Sequence, residues 1–235
     1  MFKLRKVALL LGGVVACGVF GTGSASAVSP IYNWTGFYVG VNGSMSGGQF
    51  SQEWSDTGVP YNTDHAFASG FSGGGQAGVN FQPAMSNFVS GIEADIQAST
   101  LKGTYDDRGP AFHAGTAIDW WGTARGRVGY AMGNMLPFVT GGVVFGHLTN
   151  SYTDTSSSPI TYDETWSSVQ WGWTVGAGLE AAVTKNLSLK AEYLYTNFSW
   201  KSVDPQDEAA YGDEFQNTVR GGFSTARIGL NWKLN

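Results

Sequence analysis

Charge is scarce in this chain. Charged residues make up 13% of its 235 positions, about half the quarter usual for a soluble domain. Proline is also sparse, at 7 residues, which leaves few breaks in extended segments. Cysteine occurs once, as Cys17, so no disulfide framework exists within the chain. After residue 27 no apolar run approaches the roughly 18 residues of a spanning helix. Basic residues number 13 against 18 acidic ones, the wrong balance for a nucleic-acid partner. No H-E-x-x-H helix occurs, which leaves that hydrolase signature unrepresented. Gly70-Phe71-Ser72-Gly73-Gly74 has the letters of G-x-S-x-G, but no helical pattern follows it, so it is not a nucleophile elbow. Gly73-Gly74-Gly75 precedes no helical pattern, so it is not a phosphate cradle either.

Glycine, by contrast, is abundant, with 34 residues, and aromatics reach 14%. No Gly-X-Y period runs through them, which excludes a collagen-like chain. Glycines and aromatics spread through alternating segments fit a membrane β-barrel. A glycine-rich soluble sandwich is the competing reading. The N-terminus favours export. Lys3, Arg5 and Lys6 precede an apolar stretch from Val7 to Phe20, and Ala25-Ser26-Ala27 offers a small-residue cleavage site. Residues 1–27 thus read as a signal peptide, leaving one β-barrel domain over residues 28–235. A second possibility is processing before Cys17, which Val14-Val15-Ala16-Cys17 loosely permits. Cleavage after Ala27 removes the thiol and three basic residues, leaving 10 basic and 18 acidic residues, a formal net of −8.

Eight segments alternate with period two: 34–45, 71–82, 88–99, 119–131, 136–147, 168–182, 187–197 and 224–234. Most are near the roughly 9–11 residues that a tilted strand needs to cross a bilayer. The fourth, DWWGTARGRVGYA, is the most informative. Trp120, Gly122, Ala124, Gly126, Val128 and Tyr130 share one face; Trp121, Thr123, Arg125, Arg127, Gly129 and Ala131 share the other. Two arginines on one face and aromatics near both ends of the other point to a charged inside and a lipid outside. The connections alternate as well. Those at 83–87, 132–135 and 183–186 are short; those at 46–70, 100–118, 148–167 and 198–223 are long. All long loops then fall at one end, as in outer-membrane barrels. The fold class expected is all-β, an eight-stranded antiparallel transmembrane β-barrel with short periplasmic turns and long extracellular loops. Its outward Trp120, Trp171, Trp173, Tyr193, Tyr195 and Trp232 would supply interfacial girdles near the strand ends.

Several motifs carry a family resemblance: Asn33-Trp34-Thr35-Gly36-Phe37-Tyr38-Val39-Gly40, the run from Trp121 to Tyr130, Val139-Thr140-Gly141-Gly142, and Ala191-Glu192-Tyr193-Leu194-Tyr195. Together they resemble the small outer-membrane β-barrel surface antigens of alphaproteobacteria, the opacity-like or porin-family proteins. The resemblance spans essentially the whole chain after residue 27. It implies an eight-stranded barrel similar to the membrane domain of OmpA. Some such relatives are described as surface antigens and some as haem binders. Such chains usually end on an aromatic residue read by the barrel-assembly machinery. Here Trp232-Lys233-Leu234-Asn235 stands at that place, so Trp232 is expected to serve.

Period two collects charges of both signs inside. Glu93, Asp95, Glu180 and Glu192 face Arg125, Arg127, Lys190, Arg227 and Lys233. An eight-stranded barrel is filled by side chains, so these charges must pair. An interior ion-pair network is the expected result, read as structural, with a gate or ion path as the alternative. The other 14 acids fall in or beside the long loops, where only Lys102, Arg108, Lys201 and Arg220 oppose them, a net of about −10. Asp106-Asp107 and Asp163-Glu164 are candidate pairs for a cation bridging to lipopolysaccharide, although no calcium-loop pattern is present. His65, His113 and His147 lie in or beside long loops, the only hint of haem capture or of a hydrolase at the rim. The expected role is structural and non-enzymatic, with no cofactor: a protein of the Gram-negative outer membrane that supports the envelope and displays acidic loops. Its expected partners are outer-membrane lipid, lipopolysaccharide and, during insertion, the barrel-assembly machinery. A haem or small-solute binder, a narrow pore and a rim hydrolase are the alternatives.

Overall fold

A computed structural model describes residues 32–56, 59–105, 112–154, 162–203 and 215–234. The signal segment at 1–27, its cleavage site and Cys17 lie outside the described residues, as does Asp106-Asp107. Eight strands form one sheet: β1 (Gly36–Asp56), β2 (Val59–Phe81), β3 (Phe88–Tyr105), β4 (Phe112–Tyr130), β5 (Met135–Asp154), β6 (Tyr162–Ala182), β7 (Leu187–Val203) and β8 (Phe215–Leu234). Each pairs antiparallel with the next, and β8 returns to β1, so the barrel is closed and has no free edge.

The strands are longer than the alternating segments alone indicated, and this corrects the loop boundaries. The stretch read as a loop at 46–70 is mostly ladder: β1 and β2 stay paired out to Asp56↔Val59. Likewise β3 and β4 pair to Tyr105↔Ala114, β5 and β6 to Asp154↔Tyr162, and β7 and β8 to Val203↔Gln216. The physical reason lies in the backbone. A ladder needs only N–H and C=O groups, so polar residues extend it into water without the apolar alternation that marks a lipid face. The asymmetry between the ends persists. At the opposite end the turns are tight: Met132 and Met135 exchange backbone hydrogen bonds of 2.8 and 3.2 Å around Gly133-Asn134. Gly133 has φ of 66°, the left-handed value that the first central position of a type II′ hairpin requires.

Lipid-facing and lumen-facing residues separate as period two dictates. Phe37, Val41, Ile92, Val139, Trp171 and Ile228 are exposed on the outer wall, whereas Tyr38, Glu93, Arg125, Thr140 and Arg227 are buried. The outer apolar wall has a definite height. On β4 it runs ten residue steps, from Tyr130 to Trp120. At a rise of about 3.3 Å per residue and a tilt of about 40°, that spans about 25 Å, the height of an outer-membrane apolar band. Aromatics mark both limits. Phe88 and Tyr130 meet edge to face at 5.5 Å near the short turns, while Trp120, Phe145 and Trp171 form a row at 6.3 and 5.4 Å toward the long hairpins.

Candidate functional site

The inner face of β4 shows how the lumen is stacked. Ile118 and Trp121 are fully buried and apolar, Thr123, Arg125 and Arg127 are buried and polar, and Ala131 is buried and apolar again. Neighbouring strands complete each layer. Toward the long hairpins, Phe50, Ala68, Leu101, Ile118, Trp121, Val144, Leu148, Phe198 and Phe223 form one apolar cluster. Toward the short turns, Trp34, Val89, Ala131 and Leu136 form a second, with Tyr32 and Ala182 against it. A charged layer lies between them.

That layer holds four carboxylates and four cations, all at most 6% exposed. Arg125 is its hub. One guanidinium nitrogen donates to Glu93 at 2.6 Å and to Asp95 at 3.1 Å, and the other donates to Glu192 at 2.7 Å. Arg127 donates to Glu180 at 2.7 Å and to the Tyr38 hydroxyl at 3.2 Å, while that hydroxyl donates to Glu93 at 2.7 Å. Lys190 donates to both oxygens of Glu93 at 2.7 Å. Arg227 reaches Asp95 at 3.1 Å and lies 3.7 Å from Glu192. Arginine suits this task, since its planar fork holds two acceptors at once and keeps its charge. Neutral donors add further bonds: Thr123 and Gln97 on Asp95, and Ser188 and Asn231 on Glu180. The arginines also stack. Arg127 lies 4.2 Å above the Phe138 ring, and Arg227 lies 5.2 Å above Trp121, tying the charged layer to the apolar one.

Of the nine inward residues expected in the network, the structure brings eight together: Glu93, Asp95, Arg125, Arg127, Glu180, Lys190, Glu192 and Arg227. Lys233 is the correction. It sits at the short-turn end of β8, beyond the charged layer, where the inward direction opens to solvent. Its ammonium donates to the Asn33 carbonyl at 2.6 Å and lies 5.3 Å from the Tyr32 ring. Removing it leaves four positive and four negative charges, so the sealed interior balances.

Two features escape sequence reasoning. The first is pairing across the lumen. Glu180 and Lys190 are register partners on β6 and β7, yet Glu180 bonds Arg127 of β4 and Lys190 bonds Glu93 of β3. The second is the upper apolar layer, most of which falls in stretches read as loops. The bridge that Tyr38 makes between Arg127 and Glu93 likewise leaves no mark in the alternation of its strand. The histidines form no common site among the described side chains. His147 stacks on Trp120 at 6.1 Å and its Nδ1 lies 3.1 Å from Asp119. The side chains of His65 and His113 lie outside the described ones, as do those of Asp163 and Glu164.

Comparison with known proteins agrees with this architecture. The family model for the outer membrane protein beta-barrel domain matches residues 14–232. The chain is 33% identical over 222 residues to the 31 kDa outer-membrane immunogenic protein of Brucella melitensis, covering 90% of this chain and 89% of that one. It is 32% identical over 195 residues to the 22 kDa outer membrane protein of Rhizobium leguminosarum bv. viciae, covering 83% and 79%. Among solved structures, the outer membrane protein OprG of Pseudomonas aeruginosa has a TM-score of 0.49 at 11% identity, covering 87% of this chain and 100% of that one. With its closed eight-stranded wall, its apolar outer band and a family match over nearly its whole length, the chain belongs to the outer membrane protein beta-barrel domain family and resides in the outer membrane.

Proposed function

We propose that this protein is a non-conducting structural barrel that supports the envelope, presents acidic hairpins at the cell surface and contacts lipopolysaccharide. One observation carries the first part: a charge-balanced layer closed by an apolar layer on each side. An ion crossing the lumen would have to pass Trp121, Phe198 and Phe223, all fully buried, and then displace fixed ion pairs. An unpaired charge in such a place costs several kcal/mol. The acidic excess of the long hairpins supports the surface role, as does the naming of Brucella relatives as immunogenic outer-membrane proteins. The role is non-enzymatic and uses no cofactor. Its partners are membrane lipid and lipopolysaccharide, with the barrel-assembly machinery during insertion. Planar-bilayer recording of the purified protein tests the central claim. A flat baseline after insertion is expected; steady stepwise openings would make the protein a narrow pore instead.

A further inference from the structure

The outer wall carries one polar cluster at the upper limit of the apolar band, and irregular strand pairing builds it. Between β4 and β5 the register jumps from Ile118↔Leu148 to Trp120↔His147. Between β3 and β4 it jumps from Leu101↔Ile118 to Ala98↔Trp120. A bulge disrupts the ladder locally and re-aims side chains. Here Ile118 and Trp121 both point inward and are buried, so the two residues between them, Asp119 and Trp120, share the outward side. The cluster lies about 25 Å from the Tyr130 girdle by the strand geometry above. That is the level of headgroups in the outer leaflet.

The side chains gathered there are mixed in chemistry. The imidazole of His147 lies nearly parallel to the Trp120 indole, at 14° and 6.1 Å. One oxygen of Asp119 accepts from Thr149 Oγ1 at 2.9 Å and lies 3.1 Å from His147 Nδ1. No donor among the described residues reaches its other oxygen, and the carboxylate is half exposed. Lys102 is exposed on β3, opposite Ala117, two residues along β4 from Asp119. The neutralising network of the lumen uses none of these groups.

We propose that Lys102, Asp119, Trp120 and His147 form a site for the phosphorylated sugar headgroup of an outer-leaflet glycolipid. The indole and imidazole offer flat faces for the apolar side of a sugar ring, and the indole anchors at the interface. The free carboxylate oxygen of Asp119 accepts from a sugar hydroxyl. The Lys102 ammonium pairs with a phosphate, as a mobile point charge suits. The site rests on the lipopolysaccharide-contact reading above and gives it an address.

The test is lipid retention. Full-length wild type, Lys102→Glu, Lys102→Arg and Trp120→Ala are placed in phosphatidylethanolamine nanodiscs containing diphosphorylated lipid A. Lipid A carried by each barrel is then counted by native mass spectrometry after release into detergent. Folding is checked for each variant by the mobility shift between unboiled and boiled samples on SDS gels. All changed residues lie on the outer wall, away from the buried layers. Retention is expected in wild type and Lys102→Arg. It should fall about tenfold in Lys102→Glu and Trp120→Ala, the order of one charge-assisted contact. Equal retention in folded wild type, Lys102→Glu and Trp120→Ala would refute this site while leaving lipopolysaccharide contact standing. No retention even in wild type would overturn both.

Discussion

Replacing Arg125 with methionine is the sharpest way to ask what the charged layer does. Arg125 holds three carboxylates, but it does not matter equally to them. Glu93 keeps both Lys190 contacts and the Tyr38 hydroxyl, and Asp95 keeps Arg227, Thr123 and Gln97. Glu192 loses its one close donor. Only Arg227 at 3.7 Å and Lys190 at 4.0 Å remain near its other oxygen. The cost therefore concentrates on Glu192, stranded in a lumen sealed at both ends. Leaving such a charge uncompensated costs about 3–5 kcal/mol. Removing the stranded charge as well should recover part of that loss. Arg125→Met with Glu192→Gln restores charge balance, so the pair should couple by about 2 kcal/mol, within the range seen for neighbours in one network.

Equilibrium unfolding in guanidinium chloride from lipid vesicles, followed by tryptophan fluorescence, measures all three variants. Lys233→Met is the control, because Lys233 lies outside the layer and makes one hydrogen bond to a backbone carbonyl. It should cost about 1 kcal/mol or less. The reasoning fails if Arg125→Met costs no more than Lys233→Met. It also fails if the double variant is additive within about 0.5 kcal/mol, for then Glu192 does not depend on Arg125.

Two further outcomes follow from the walls. Alanine at Gly142, opposite Arg125 in the β4–β5 register, would drive a Cβ into the Ala124 carbonyl and the Arg125 backbone, and overpacking of that kind costs about 1–3 kcal/mol. Alanine at Gly43 meets nothing within 4 Å and should stabilise the strand by about 0.5 kcal/mol; the same unfolding assay distinguishes them, and equal effects would contradict the packing described. Arginine in place of the outward Ile92, midway down the band, should cost about 2–4 kcal/mol, against about 0–1 kcal/mol for Leu234→Arg at its periplasmic edge. Matching costs for Ile92→Arg and Leu234→Arg in vesicles would mean that the band is placed at the wrong depth.

The sequence was legible where one physical rule acted alone. Within the bilayer the outer face must be apolar, so period two separated Val128 from Arg127 and Ile92 from Glu93 without ambiguity. Above the band the rule lapses, because both faces of an extended hairpin meet water or the capped lumen. Phe50, Leu101, Leu148, Phe198 and Phe223 therefore stood in polar surroundings and resembled isolated loop residues, although they seal the barrel. The irregularity between Ile118 and Trp120 compounds this, since the inward parity of β4 changes there, from Thr116 and Ile118 to Trp121 and Thr123. The charged layer was legible in membership but not in wiring. Neighbouring strands set which residues point inward, whereas the lumen's width sets which of them touch. Glu180 and Lys190 show the difference: the ladder makes them neighbours, but Arg127 and Glu93 on the far wall hold them. A filled interior follows from eight strands, but an interior braced across its diameter does not. That bracing couples β3 and β4 to β6, β7 and β8 through side chains as well as through the sheet. Loss of Arg125 should accordingly be felt on the opposite wall, at Glu192, before the local ladder to Glu93 gives way.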